Sequence, residues 1–402
     1  MQYRSKYIFD RINAKLSAPG MTADSQFLTA LQTHQLAEDA LDYAYKELRQ
    51  QLSESMMLDH VIFLVGNGAS TLAGPRNNHP NPMNYSGIRS CKYAKLPKCG
   101  KIKSELAEIS KFSIDEQMNA LITIKSYFSI MKDDRERAVS ELIEYIKRDL
   151  IDICAESVDY RNLRVHETML QKLRSFGALS RTQIYTTNYD LIFEYAMDTL
   201  SIDYKDGFSG FVNRWFNPGT FAECGKPSLV KLHGSVNWIN ENGRIREIQP
   251  KFKDGMVVTD EPDELDNVLI FPCSNKTGGG AFLSPYNDLM WHMLNELETG
   301  SNAVVVIGYK YGDSRINDIL CRAMENQNNE LYFFTFENPE ETDGEFIKNV
   351  NQVADDEADR INILCGPVLA SFNIFVKYIL PEVQELTDEN KASEEPDTAA
   401  MS

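Results

Sequence analysis

Residues 61–71 read V-I-F-L-V-G-N-G-A-S-T: five apolar, largely β-branched residues that end abruptly in two glycines one residue apart. A run without polar alternation predicts a strand buried on both faces, and such strands belong to parallel sheets covered by helices. The same signature returns in R-T-Q-I-Y-T-T-N (181–188), P-S-L-V-K-L-H-G (227–234), N-V-L-I-F-P (267–272), A-V-V-V-I-G (303–308) and E-L-Y-F-F-T-F (330–336). Helical patterns lie between and after these runs, which predicts an α/β fold with a parallel sheet flanked by helices. N-E-N-G at 240–243 predicts a hairpin turn.

Outside the strands, Leu28, Leu31, Leu36, Leu41, Ala44, Leu48 and Leu52 recur near helical spacing and predict a helix over 25–57. Residues 74–104 are rich in turn formers and hold a basic run from Arg89 to Lys103. Residues 105–175 read as helices, with Leu121, Ile124, Phe128 and Met131 on one face and Leu142, Ile146, Leu150 and Ile153 on another. The expected organisation is an N-terminal helical segment (1–57), a main domain (58–386) with a helical insertion at about 105–180, and an acidic, disordered tail (387–402).

A net charge of −18 over 402 residues repels nucleic acid across most of the surface, so direct nucleic-acid binding is not expected. The basic run 89–103 reads as a solvated loop first, and otherwise as a contact for an acidic partner or nucleic acid. Seven cysteines without a C-x-x-C pair argue against a disulfide framework and against a structural zinc site, so no metal is expected. They read as reduced thiols, most of them small core residues. M-Q-Y-R-S-K-Y is not a secretory signal and no stretch is apolar enough to span a bilayer, so a cytoplasmic protein without membrane contact is expected.

In a parallel sheet covered on both faces, ligands sit at the carboxyl ends of the strands. After the first run come Gly66, Asn67, Gly68, Ala69 and Ser70. Glycines there permit positive φ and let backbone amides approach a phosphate; the same residues also suit a plain strand-to-helix turn. After the second come Asn188 and Asp190. A carboxamide both donates and accepts and can hold a sugar hydroxyl or a water, whereas either residue also suits a helix cap. After the third comes His233, followed by Gly234. Imidazole exchanges a proton near neutrality, although a lone histidine is often structural, as His34, His60, His79, His166 and His292 are read. The late stretch V-I-G-Y-K-Y-G-D-S-R-I-N-D contains Gly308, Tyr309, Asp313 and Asn317, suited to a phosphate, ribose or base, or to a turn and cap. F-P-C-S-N-K-T-G-G-G (271–280), with Lys276, reads as a pocket lid or a surface loop.

The order Gly loop, T-x-N-x-D, H-G and late Gly-Tyr with Asp and Asn resembles the sirtuin-like NAD-binding family, over roughly 58–72 and 180–380. More narrowly, the chain looks like the bacterial sirtuin-like NAD hydrolases of anti-phage defence. The resemblance implies a Rossmann-like sheet with NAD as substrate. It implies that Gly66, Asn67, Gly68, Ala69 and Ser70 meet the pyrophosphate. Asn188, supported by Asp190, would place the attacking group, and His233 would be the general base. Gly308, Tyr309, Asp313 and Asn317 would meet the adenosine half.

Two departures separate the chain from sirtuin deacylases. The paired C-x-x-C zinc ribbon is missing after H-G, and L-A-G-P-R-N-N-H-P-N-P stands where P-D-F-R would be. Both favour water as the acceptor, hence an NAD hydrolase releasing nicotinamide and ADP-ribose. The resemblance extends to the sirtuin-like subunit that pairs with a HerA-type hexameric ATPase, and implies control by homo-oligomerisation or by that partner. An NAD- or ADP-ribose-binding module without turnover, and a sirtuin-type deacylase, are the alternatives.

Overall fold

The computed structural model describes residues 38–73, 102–112, 114–156, 158–253, 256–258, 266–269, 284–337, 344–356, 360–366 and 369–382. The loop 271–280, the basic run 89–103 up to Lys101, residues 25–37 of the expected N-terminal helix, and the tail 387–402 lie outside them.

The apolar run after helix α1 (Glu38–Ser55) forms β1 (His60–Val65), and Val61 to Val65 are fully buried. The other parallel strands are β2 (Thr182–Thr186), β5 (Ser228–Lys231), β11 (Asn302–Ile307), β12 (Asn329–Thr335) and β13 (Ile361–Cys365). Their order is β13-β12-β11-β1-β2-β5, parallel throughout. Read from β5, this is the doubly wound Rossmann order, which reverses between β1 and β11. The α/β expectation holds.

Side chains alternate between two cores. Val61, Phe63, Val65, Val305, Ile307, Tyr332 and Phe334 face one, and Ile62, Leu64, Val304, Val306, Leu331 and Phe333 the other. The first core is covered by α1 and by the helical insertion between β1 and β2: α2 (Lys103–Ile109), α3 (Ile114–Ile130), α4 (Arg135–Glu156) and α5 (Arg164–Ser175). α6 (Ile192–Thr199) joins the same core. The second core is covered by α7 (Tyr286–Glu298), α8 (Ser314–Glu325) and α9 (Glu345–Asp356). No described helix is long and apolar enough to cross a membrane.

The structure departs from the sequence reading in four places. β13 completes the parallel sheet where a helical segment was expected. The N-V-L-I run is β10 (Asp266–Leu269), and it pairs antiparallel with β6 (Gly234–Glu241) rather than joining the parallel sheet. A short apolar run fits either direction, so periodicity alone could not separate them. β10 belongs to a second sheet, β10-β6-β7-β4-β3, with β7 (Arg244–Glu247), β4 (Arg214–Phe216) and β3 (Phe208–Ser209). Among the described cysteines only Cys154 is buried; Cys224 is exposed, and Cys321 and Cys365 are half-buried.

The fourth departure concerns Gly66 and Gly68. Neither has positive φ. Glycine is needed there because the chain crosses Gly308 at the switch point. A Cβ on residue 66 would lie 2.4 Å from the Gly308 carbonyl oxygen and 2.6 Å from Tyr309 Cα. Backbone cannot yield as a side-chain tip can, so Gly66→Ala should cost at least about 1–3 kcal/mol. Chemical denaturation tests this: an unshifted midpoint would mean that the two loops separate freely. The predicted hairpin is present, with Asn242 at φ 56° and Gly243 at φ 82°, the primed turn that β-ribbons favour.

Candidate active site

Strand register brings the named motifs to one level. Val65 pairs with both Thr186 and Ile307, and Thr186 pairs with Lys231. Gly66 and Gly308 therefore stand one residue beyond their strands. Asn188 and His233 each stand two residues beyond the Thr186–Lys231 pair, on strands about 4.8 Å apart. The Leu232 amide still donates to the Thr186 carbonyl at 2.8 Å, and the Tyr189 and His233 rings lie 6.5 Å apart.

Asn188 is buried, and its orientation is forced. Nδ2 donates to the Gly66 carbonyl at 3.1 Å, a group that can only accept, and to Ser70 Oγ at 2.8 Å. Ser70 passes its own proton to Asp190 Oδ2 at 2.7 Å. Asp190 Oδ1 accepts from the Ile192 amide at 3.2 Å, while Leu191, not Asp190 or Asn188, occupies the N-cap position of α6. The chain of donors is thus directional, and both Asn188 protons are consumed within the protein. What remains is Oδ1, buried and without a hydrogen-bond partner among the described residues. Toward a ligand the carboxamide would act only as an acceptor, which narrows the sequence reading.

His233 lies where the chain leaves one sheet for the other. β5 ends at Lys231 and β6 begins at Gly234, whose φ of 89° makes the turn. The ring is 4% exposed, and its Nε2 meets Asp313 Oδ2 at 3.0 Å. Nδ1 has no protein partner among the described residues.

The late stretch organises itself. Asp313 Oδ1 caps α8, accepting from the Arg315 and Ile316 amides. Its own amide donates to the Tyr309 hydroxyl at 3.0 Å, and Asn317 Nδ2 donates to the Tyr311 carbonyl at 2.8 Å. Burial pushes the Asp313 carboxyl up, but the His233 hydrogen bond, the ring's charge and the helix amides outweigh it, and the net shift is below the ordinary value. Among the glycine-loop amides, Gly66 donates to Ile307, Gly68 to Gly308 and Ala69 to Gly66. These three serve the switch-point crossing rather than facing open space.

Sequence reasoning missed Lys231 and Glu194. Lys231 is 4% exposed; its ammonium donates to Glu194 Oε1 at 2.9 Å, to the Tyr189 carbonyl at 3.3 Å and to the Asp190 carbonyl. It therefore fastens the backbone just past Asn188. The signal was a charged residue inside the apolar run S-L-V-K-L.

The second sheet has a half-buried charge cluster beside it. Arg214 pairs with both Asp206 and Glu247, and Asn237 on β6 donates to Glu247 Oε1 at 3.1 Å. Burial, then the charge of Asp206, push the Glu247 carboxyl up to about 7 against the pull of Arg214. A carboxyl raised on folding contributes stability that is complete below its unfolded pKa of about 4.3 and is lost as pH rises through about 7. Unfolding midpoints should fall from pH 5 to pH 8, and more steeply in the parent than in Glu247→Gln. Equal slopes would remove Glu247 from the titration.

His166 is buried between Phe193 and Phe372, with ring centroids 5.1 and 5.0 Å away, and burial lowers it to about 3. His292 stacks on Phe221 at 4.4 Å. Both serve packing.

The profile of the SIR2-like domain family matches residues 182–354. The match supports a sirtuin-like family and, with it, an NAD-related activity. No curated protein matches the chain. The SIR2-like span opens at β2 and includes Asn188, His233 and Asp313. The glycine loop 66–70 precedes it by more than a hundred residues. The fold joins that loop to the SIR2-like span, through hydrogen bonds of Gly66 and Ser70 with Asn188, of Ser70 with Asp190, and of the Gly66 and Gly68 amides with Ile307 and Gly308.

Proposed function

We propose that the protein hydrolyses NAD at the nicotinamide–ribose bond, giving nicotinamide and ADP-ribose. The observation that carries this reading is the buried Oδ1 of Asn188 one strand away from a histidine nitrogen, neither of them with a partner among the described residues. Two acceptors at adjacent strand ends suit a water or ribose hydroxyl that must give up a proton. NAD carries its positive charge on the nicotinamide ring, which leaves as a neutral molecule, so no general acid is required. The oxocarbenium-like state is electron-poor, and acceptors without competing donors favour it.

In this reading Asn188 Oδ1 aligns the water by accepting one of its protons in a hydrogen bond, and His233 takes the other as the oxygen closes on C1′. Ser70 and Asp190 hold the carboxamide. Gly66, Asn67, Gly68, Ala69, Gly308, Tyr309 and Asn317 build the switch-point floor and late loop against which the dinucleotide would lie. The resemblance to anti-phage NAD hydrolases extends the proposal: NAD depletion in defence, restrained by homo-oligomerisation or by a HerA-type ATPase.

The test is nicotinamide release from NAD by purified protein, alone and mixed with the candidate ATPase. Release in either arm supports the reading. NAD bound but intact in both arms would make the protein a binding module. Turnover only with an acylated lysine peptide would make it a deacylase.

A further inference from the structure

The Asp313 carboxylate is held on every side. Oδ1 accepts from the Arg315 amide at 2.9 Å and from Ile316 at 3.4 Å, while Oδ2 meets His233 Nε2 at 3.0 Å. The side chains of the pair are 5% and 10% exposed. Asp313 follows β11 whereas His233 follows β5, three strand spacings or about 14 Å away across the ends of β1 and β2. The segment 308–313 therefore passes over the switch point to deliver one carboxylate to one imidazole. Capping alone would not need that reach, since Oδ1 supplies it.

We infer that Asp313 sets the tautomer of His233, holding the proton on Nε2 and leaving Nδ1 as the basic nitrogen. Asp313 is a positioning residue: a carboxylate can only accept, so the nitrogen facing it must carry hydrogen. Its role in turnover rests on the hydrolase reading. There, the water oxygen bonds to C1′, the C1′–nicotinamide bond breaks with its electron pair going to the pyridine nitrogen, and Nδ1 receives the water proton.

Asp313→Asn separates charge from shape. Asparagine caps helices as well as aspartate does, so Oδ1 can keep the Arg315 and Ile316 amides. Its NH₂ then faces His233, and a donor there turns Nε2 into the acceptor and moves the ring proton to Nδ1. The corresponding change in a Ser-His-Asp triad lowers kcat about 10⁴-fold through the wrong tautomer.

Long-range ¹⁵N–¹H NMR at pH 8.5 reads the tautomer directly, with the His233 signals identified by their loss in His233→Gln. The expected result is the Nε2–H form in the parent and the Nδ1–H form in Asp313→Asn. Nicotinamide release should fall at least 100-fold in kcat, with KM changed much less. A parent ring in the Nδ1–H form would overturn the inference even if the variant failed to fold. So would an Asp313→Asn protein that cleaves NAD as fast as the parent or faster, since Asp313 would then obstruct the base. A parent that shows the Nε2–H form but leaves NAD intact would sink the hydrolase reading and leave the tautomer assignment standing.

Discussion

His233→Ala is expected to fold like the parent and to release nicotinamide about 10²–10⁴-fold more slowly, the usual cost of losing a positioned base. Gly234 makes the turn whatever stands at 233, and Asp313 keeps its helix cap through Oδ1. The loss should therefore appear mainly in kcat, with a modest drop in the unfolding midpoint because Asp313 Oδ2 loses its partner. Asn188→Ala should lose turnover as well, through the missing Oδ1. It also strips a donor from the Gly66 carbonyl and from Ser70 Oγ, so a modest drop in stability should accompany it. Measured turnover within a few-fold of the parent in either variant would remove that residue from the chemistry.

Lys231→Met is expected to destabilise the fold by up to about 3–5 kcal/mol, because it strands the Glu194 carboxylate, whose side chain is 17% exposed. Burial already pushes Glu194 above the ordinary carboxyl range, and Lys231 is the main charge opposing that. Two main-chain carbonyls, of Tyr189 and Asp190, lose the same donor. The double variant Lys231→Met, Glu194→Leu should regain much of the stability, since an apolar pair can replace a buried ion pair at little cost. It should not regain turnover, because the backbone after Asn188 remains unfastened. Denaturant unfolding of the three proteins decides the matter: a single variant as stable as the parent, or a double variant as active, would show that the ion pair does not hold the loop.

How far the sequence alone could reach is clear at particular residues. β1, β11 and β12 were legible because a strand buried on both faces must be largely apolar; β2 (T-Q-I-Y-T) and β5 (S-L-V-K) carry polar residues and were legible from I-Y and L-V together with the polar motifs that follow them. β13 was not, because Asn362 interrupts I-N-I-L-C; that side chain is buried and accepts from Gln51 on α1, a partner more than three hundred residues away. The glycines of G-N-G were legible as a constrained turn, but for a different reason: the neighbour that forbids a Cβ is Gly308, not a twist of their own backbone. Asp313 was legible as a helix cap and not as the partner of His233, since local spacing carries no trace of a contact spanning eighty residues. Asn188 could be named from T-x-N-x-D; that both its amide protons are held within the protein, leaving Oδ1 alone, required the positions of Gly66 and Ser70.

The two residues between β5 and β6 belong to both sheets at once. On one side Leu232 is bonded to Thr186; on the other Gly234 pairs with Leu269, and Val236 donates to the Tyr189 carbonyl. α4 of the helical insertion packs against β6 as well. The imidazole is thus mounted like a hinge pin through two plates. A substitution well out on β4 or β7 would reach the imidazole by tilting the plate that holds the pin.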